Sequence, residues 1–102
     1  MHKYQLHGKF KVHAENRERL AEILLEAAQL VSQAKGCLLY TIAIDPNDAE
    51  AVWVSEVWEN KADHDNSLQF PGVRELIMQA MPLLDGPPEK GQELELLGGF
   101  GI

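Results

Sequence analysis

The N-terminal part of the chain alternates between polar and apolar positions and then changes to a helical spacing. Between residues 3 and 13 every second residue is apolar or glycine, which is the period of a strand with one covered face. From about Arg17 to Ala34 apolar residues recur every three or four positions, which predicts an amphipathic helix. Asn16 is placed to cap this helix, and Gly36 suits the left-handed position after its end.

The rest of the chain predicts three strands and a helix in two pieces. Strands are predicted at Cys37–Asp45 and about Ala51–Trp58, with a Pro-Asn-Asp turn between them. Asn60 is predicted to cap a short helix, and Pro71 fits the first turn of another. A final strand is predicted at Glu93–Leu97. This order predicts an α+β fold, a ferredoxin-like split βαβ domain with an antiparallel sheet and helices on one face.

The third predicted strand is largely apolar on both of its faces. One face carries Val52, Val54, Glu56 and Trp58, and the other carries Trp53, Ser55 and Val57. The helices can cover only one face of the sheet, and a large exposed apolar face is typical of an interface. We therefore expect a homodimer. The alternative is a curled sheet that hides Trp53 under the loops of its own chain.

Size, charge and cysteine content exclude several classes of protein. A chain of 102 residues predicts one domain over residues 1–102. The net charge of -7 argues against a nucleic-acid partner, which requires a basic face for phosphate contacts. No apolar run is long enough to predict a transmembrane helix, so we expect no membrane partner. The absence of a signal-peptide core and the single cysteine, Cys37, favour a cytoplasmic protein. Cys37 is interpreted as a small packing residue.

The candidate chemistry is concentrated where the third strand meets the short helix. Glu56, Trp58 and His64 place a carboxylate, an indole and an imidazole close together there. The remaining histidines and carboxylates form no cluster with the spacing of metal ligands, so no metal site is predicted.

The same region resembles the antibiotic biosynthesis monooxygenase family. The resemblance extends from Tyr4 to about Leu97 and rests on Glu56-x-Trp58, Asn60-Lys61-Ala62-Asp63-His64, Ser67-Leu68 and Pro71-x-Val73-Arg74-x-Leu76-Ile77. It implies a dimeric α+β barrel in which two sheets face each other and each subunit has a pocket between sheet and helices. Characterised members oxidise quinols or polyketide-derived phenols with O₂ and use no metal or flavin, so no cofactor is expected. Other members degrade haem.

The resemblance suggests roles for four residues, each with a structural alternative. Trp58 would form the wall of a pocket for an aromatic substrate, or fill the core. His64 would accept a phenolic proton or bind a substrate oxygen, or lie half-exposed with local hydrogen bonds. Glu56 would orient His64 or hold a backbone group, since a carboxylate on an apolar face needs a partner. Arg74 would bind a substrate oxygen or make a surface ion pair.

Two departures from the family narrow the expected activity. The first strand has no Asn and position 68 is Leu, which argues against haem degradation. Val54 stands where phenol-oxidising members have an amide side chain, which weakens transfer of their detailed mechanism. The leading hypothesis is a cofactor-independent monooxygenase that oxidises a small aromatic quinol or phenol with O₂. The alternatives are a non-catalytic binding or stress-associated protein on the same scaffold, and a fold whose pocket is filled by side chains.

Overall fold

The computed structural model describes residues 2–102 and contains one four-stranded antiparallel sheet. The strands are β1 (Lys3–Lys11), β2 (Cys37–Asp45), β3 (Asp48–Trp58) and β4 (Gln92–Leu96). Their order across the sheet is β2-β3-β1-β4, with β3 and β1 in the centre, and all neighbouring pairs are antiparallel. This arrangement confirms the predicted ferredoxin-like α+β fold.

Three α-helices connect the strands. They are α1 (Arg17–Val31), α2 (Lys61–Ser67) and α3 (Val73–Ala80), and short 3₁₀ turns at Ala14–Asn16 and Met81–Leu83 flank α1 and α3. The apolar faces of α1 and α3 pack on the face of the sheet that carries Val52 and Val54. Within residues 2–102, no helix is long and apolar enough to cross a membrane.

The ends of α1 differ from the prediction. Asn16 occupies the capping position, but its side chain makes no capping hydrogen bond, since the residue closes a 3₁₀ turn through its own amide. The helix ends at Val31 rather than Ala34, because the amides of Gln33 and Ala34 donate to carbonyls three residues earlier and tighten the turn. Gly36 has the expected left-handed conformation, with φ of 84°.

Several other boundaries also shift. β1 ends at Lys11 rather than residue 13, and β3 begins at Asp48 rather than Ala51 because Asp48 already pairs with Asp45. The expectation that Pro71 lies in the first turn of a helix is wrong. Gly72 turns the chain in the left-handed conformation first, with φ of 91°, and α3 begins after it.

The core lies between the sheet and the helices, and the other face of the sheet is open. Val52 and Trp58 are fully buried on the helical side, as the alternation of β3 predicts. On the open face, Trp53 stacks on the His7 ring at a centroid distance of 5.3 Å, and the Lys9 ammonium lies 5.7 Å from its centroid. Side chains of β1, rather than loops, therefore cover part of Trp53. This side is called the open sheet face, defined by the half-buried His7, Trp53 and Ser55 and by Val57, which is itself buried.

Gly36 fixes the start of α2 relative to the end of α1. Its carbonyl accepts a hydrogen bond from the Glu59 amide over 2.9 Å. A Cβ at position 36 would overlap the Asp63 carboxylate, so only glycine permits the close approach of these two segments. This contact sets where the first turn of α2 lies.

Candidate active site

A cavity of about 240 Å³ lies between the sheet and the helices. Most of its wall is aliphatic, with side chains such as Leu6, Leu20, Ile23, Leu24 and Leu76. Four residues with polar groups also line it, namely Tyr40, Glu56, His64 and Ser67. The cavity is therefore an apolar space to which three elements contribute polar groups, and it excludes the interpretation that side chains fill the pocket.

Glu56 lies on the helical side of β3 and is 8% exposed. Trp58 is two residues further along the same strand face, and its Nε1–H donates to Glu56 Oε1 over 3.0 Å. Burial raises the pKa of the Glu56 carboxyl above its ordinary value, while the Trp58 hydrogen bond and the nearby His64 ring act in the opposite direction. The net effect favours the protonated form of Glu56 relative to a surface glutamate.

His64 lies in α2, and its side chain is 14% exposed and lines the cavity. The hydrogen bonds of the neighbouring residues determine this position. Asn60 caps the helix by accepting a hydrogen bond from the Asp63 amide over 2.8 Å, so only two residues separate the end of β3 from the start of the helix. The Ser67 hydroxyl donates to the His64 carbonyl one turn later. The Nε2 atom of His64 then lies 3.7 Å from Glu56 Oε1.

The other ring nitrogen of His64 points towards solvent. Its Nδ1 lies 2.9 Å from Oδ1 of the exposed Asp65. The His64 hydrogen bond, followed by that from Lys61, lowers the pKa of Asp65, so this carboxylate is an acceptor and Nδ1 carries the proton that it binds. In the neutral ring the free lone pair is consequently on Nε2, which faces Glu56.

Trp58 is fully buried and is not among the residues that line the cavity. It packs with Val31 and Val73, and its ring meets the His64 ring edge-on at a centroid distance of 5.9 Å. The geometry therefore agrees with the core-filling interpretation of Trp58 rather than with a position in the wall. Trp58 contacts Glu56 and His64, which line the cavity, but it does not line the cavity itself.

The structure does not bring Arg74 to this cluster. Arg74 is exposed on α3 and lines a separate surface depression with Gln69, Phe70 and Glu75. Its position agrees with the alternative of a surface side chain. Of the predicted site residues, Glu56 and His64 line the cavity. Trp58 contacts both of them from the core, and Arg74 lies outside the cavity on the surface of α3.

Tyr40 is a cavity residue that the sequence reasoning missed. It lies on β2 directly opposite Glu56 and on the same face of the sheet. Burial, followed by the nearby Glu56 carboxyl, raises the pKa of the Tyr40 phenol, and no hydrogen bond to its hydroxyl is made within residues 2–102. The signal in the sequence that could have identified Tyr40 was its single polar-ended side chain in the apolar pattern of β2.

The described part of the chain offers neither a cluster of metal ligands nor an activated thiol. No group of three or more His, Cys, Asp and Glu side chains in residues 2–102 is arranged to hold a metal ion. Burial raises the pKa of the Cys37 thiol, which disfavours the reactive thiolate. Cys37 therefore agrees with its interpretation as a packing residue.

The fold and the cavity define a class of small α+β proteins with an apolar pocket between an antiparallel sheet and its helices. The model of the family "Antibiotic biosynthesis monooxygenase" matches residues 4–78. The chain belongs to the antibiotic biosynthesis monooxygenase family.

Solved structures show the same relationship. A candidate antibiotic biosynthesis monooxygenase from Chloroflexus aurantiacus J-10-fl is 37% identical, with a TM-score of 0.86 and 98% of each chain covered. A second, from Deinococcus radiodurans, is 26% identical, with a TM-score of 0.74 over 97% of this chain and 95% of the other. Rv0793 from Mycobacterium tuberculosis shares the fold at 17% identity, with a TM-score of 0.82 over 97% and 99%. A comparison with curated proteins gave no match.

Proposed function

We propose that this protein is a cofactor-independent monooxygenase that oxidises a quinol or phenolic small molecule with O₂. The observation that carries the proposal is that Glu56 and His64 meet at one place in the wall of an otherwise apolar cavity. An apolar cavity with a few convergent polar groups suits an aromatic ligand that carries hydroxyl groups. Membership of the family supports the type of reaction.

His64 is the proposed general base. Its Nε2 lone pair faces Glu56 in the cavity wall and can accept the proton of a phenolic hydroxyl, because the unprotonated nitrogen of a neutral imidazole is a proton acceptor. The resulting phenolate is electron-rich and can transfer an electron to O₂. For a quinol, the substrate itself supplies the two electrons and two protons that convert one oxygen atom of O₂ into water. The other oxygen atom enters the ring, which gives a hydroxylated quinone.

Glu56, Trp58 and Tyr40 have supporting roles in this proposal. Trp58 holds the Glu56 carboxyl through the 3.0 Å hydrogen bond, and Glu56 in turn faces the reactive nitrogen of His64. Both are positioning residues. Tyr40 lies opposite Glu56 in the sheet and lines the cavity, and its hydroxyl can donate a hydrogen bond to a substrate oxygen. Arg74 has no role at this cavity, because it lies outside it.

We also propose that the protein forms a homodimer through the open sheet face, and that it acts in the cytoplasm. The open sheet face carries the half-buried Trp53 and Leu39 and the exposed Leu94, the last two in register with Val57 and Gln5. A second copy placed there would cover apolar surface that the helices leave exposed. Each copy would keep its own cavity, since the cavity lies on the opposite side of the sheet.

The direct test is oxidation of 1,4-naphthoquinol in air and under anaerobic conditions, with a protein-free sample to measure autoxidation. We expect an O₂-dependent, protein-dependent hydroxylated product, and a loss of at least roughly 100-fold in kcat/KM for His64→Ala. His13→Ala is the matched control, because His13 is exposed and pairs with Asp85 outside the cavity. An unchanged rate in His64→Ala would exclude His64 as the base.

A non-catalytic binding protein gives a different result in the same samples. It would show thermal stabilisation by the quinol without any product, and the stabilisation would be the same with and without O₂. That outcome would replace the monooxygenase proposal by the binding alternative.

A further inference from the structure

Three large apolar side chains in the lining of the cavity are also exposed to solvent. Leu68 follows α2, Ile77 lies in α3, and Met81 lies in the 3₁₀ turn after α3. They are 49%, 40% and 46% exposed, yet all three line the cavity. We call these three residues the cavity rim. Single exposed apolar side chains are ordinary on protein surfaces, but here three from different elements line one cavity.

The cavity also changes in character from its inner part to the rim. Glu56 and Tyr40 on the sheet, together with His64, supply polar groups, whereas Ile77 and Met81 at the rim supply only hydrocarbon and thioether surface. At about 240 Å³, the enclosed space is smaller than the roughly 300–1,000 Å³ that is usual for drug-sized ligands. It suits a hydroxylated ring, and a hydrocarbon chain too long for the remaining space would extend across the rim.

We propose that the cavity rim is a binding subsite for a hydrocarbon chain, and that the ligand is a phenol or quinol bearing an alkyl or alkenyl substituent. The ring hydroxyl lies at Glu56 and His64, and the chain covers Leu68, Ile77 and Met81. This inference rests on the proposed function for the placement of the ring. It adds a specificity determinant that the proton-transfer residues do not provide.

The position of the rim argues against a second copy of the chain as its occupant. The rim is built from α2, α3 and the turn that follows α3, which lie on the helical side of the sheet. A partner on the open sheet face, which includes Trp53 and Val57, would leave the rim uncovered. Its continuity with the cavity wall instead favours one ligand that occupies both.

Binding of a series of 4-alkylphenols tests the proposal without requiring turnover. The series runs from 4-methylphenol to 4-pentylphenol, and Kd is measured by isothermal titration calorimetry on the intact protein. We expect Kd to fall by roughly twofold for each added methylene, because a fully buried methylene gives about fourfold and the rim covers one side of the chain. Ile77→Ser and Met81→Ser should flatten this dependence, with a larger loss of affinity for 4-pentylphenol than for 4-methylphenol.

Met78→Ser is the matched control. Met78 lies on the same helix and is 66% exposed, but it does not line the cavity, so its substitution should keep the full dependence on chain length. A dependence that is flat in the unmodified protein, or equally steep in Ile77→Ser, Met81→Ser and Met78→Ser, would overturn the subsite and leave the proposed function standing. Failure of every phenol to bind, 4-methylphenol included, would overturn the proposed function and the subsite together.

Discussion

The Trp58 indole and the Glu56 carboxyl form a buried hydrogen-bonded pair, with Nε1 and Oε1 separated by 3.0 Å. The same Glu56 oxygen lies 3.7 Å from His64 Nε2. A fully buried tryptophan thus acts on the cavity only through the carboxyl group that it holds. This relationship connects the packing of the core to the orientation of the proposed base.

Removing the indole donor should destabilise the protein beyond the loss of packing. Trp58→Phe leaves the buried Glu56 carboxyl without its hydrogen-bond donor, and we expect a loss of about 1–3 kcal/mol in the free energy of unfolding from this effect. In a Glu56→Leu background the same substitution should cost less, since no carboxyl is left unpaired. Urea denaturation of the four proteins measures the difference. Equal costs in both backgrounds would show that the hydrogen bond contributes nothing.

The raised pKa of Glu56 predicts the sign of a pH effect on stability. Burial raises this pKa in the folded state above the ordinary value of 4.5, so the folded protein holds a proton that the unfolded chain has released. The contribution of Glu56 to stability is therefore greatest below pH 4.5 and decreases as the pH rises through the folded-state pKa.

Glu56→Gln removes this titration while keeping an oxygen that can accept the Trp58 hydrogen bond. The difference in unfolding free energy between the unmodified protein and Glu56→Gln should shift in favour of the variant as the pH rises. Urea denaturation at several pH values from about 5 to 8 measures this difference, in which the effects of the other carboxylates cancel. A difference that is constant with pH would contradict the prediction.

Tyr40 and Tyr4 provide a matched pair of phenols for testing substrate contact. The Tyr40 hydroxyl has no partner within residues 2–102 and its residue lines the cavity, whereas the Tyr4 hydroxyl donates to Glu93 over 2.8 Å and lies outside it. Tyr40→Phe should weaken binding of a phenolic ligand by about 0.5–1.5 kcal/mol, the value of one hydrogen bond. Tyr4→Phe should leave that affinity unchanged in the same calorimetric titration. Equal effects of the two substitutions would remove Tyr40 from the site.

Two glycines with similar backbone conformations separate steric overlap from conformational strain. Gly36 and Gly86 have φ of 84° and 87°, but a Cβ at Gly36 would overlap Asp63, whereas a Cβ at Gly86 would meet nothing within 4 Å. We expect Gly86→Ala to cost about 1–2 kcal/mol of stability and Gly36→Ala to cost distinctly more. Thermal denaturation of both variants gives the comparison. A cost at Gly36 no greater than at Gly86 would mean that α2 shifts freely.

The open sheet face predicts how dimerisation can be disrupted. Leu94 is exposed on β4, and its register opposite Gln5 places it on the same face as Val57. Leu94→Glu should convert a dimer into a monomer, because it places a charge in the proposed interface. Met78→Glu on α3 is the control and should leave the molar mass of the dimer in solution unchanged. Light scattering coupled to size-exclusion chromatography measures both, and a monomeric unmodified protein would disprove the dimer.

The fold could be predicted because hydrophobic periodicity determines the type and order of its elements. The ends of helices and strands were harder to predict from the sequence where backbone geometry determines them. Pro71 is compatible with a first helical turn, but the left-handed Gly72 delays the helix to Val73. Likewise, β3 begins at Asp48 because that residue already pairs with Asp45 across the turn, which alternation alone does not show.

The proximity of the candidate site residues could be predicted where they are neighbours along the chain. Glu56 and His64 are connected by the end of β3 and one capped helix, so local signals were sufficient to bring them together. Tyr40 was missed because its position depends on the register between β2 and β3. Alternation gave the correct face for Trp58 but not its depth, which is set by Val31 on α1.

The two nitrogens of His64 lie on opposite sides of the cavity wall. Nε2 faces Glu56 inside, and Nδ1 is bound to the exposed Asp65 outside. In the proposed reaction, a proton accepted at Nε2 gives an imidazolium whose positive charge is paired through Nδ1–H with the Asp65 carboxylate outside the wall. Nε2 becomes a base again once it passes that proton to the oxygen atom that leaves as water, so the charge is compensated from outside while the proton stays inside the cavity.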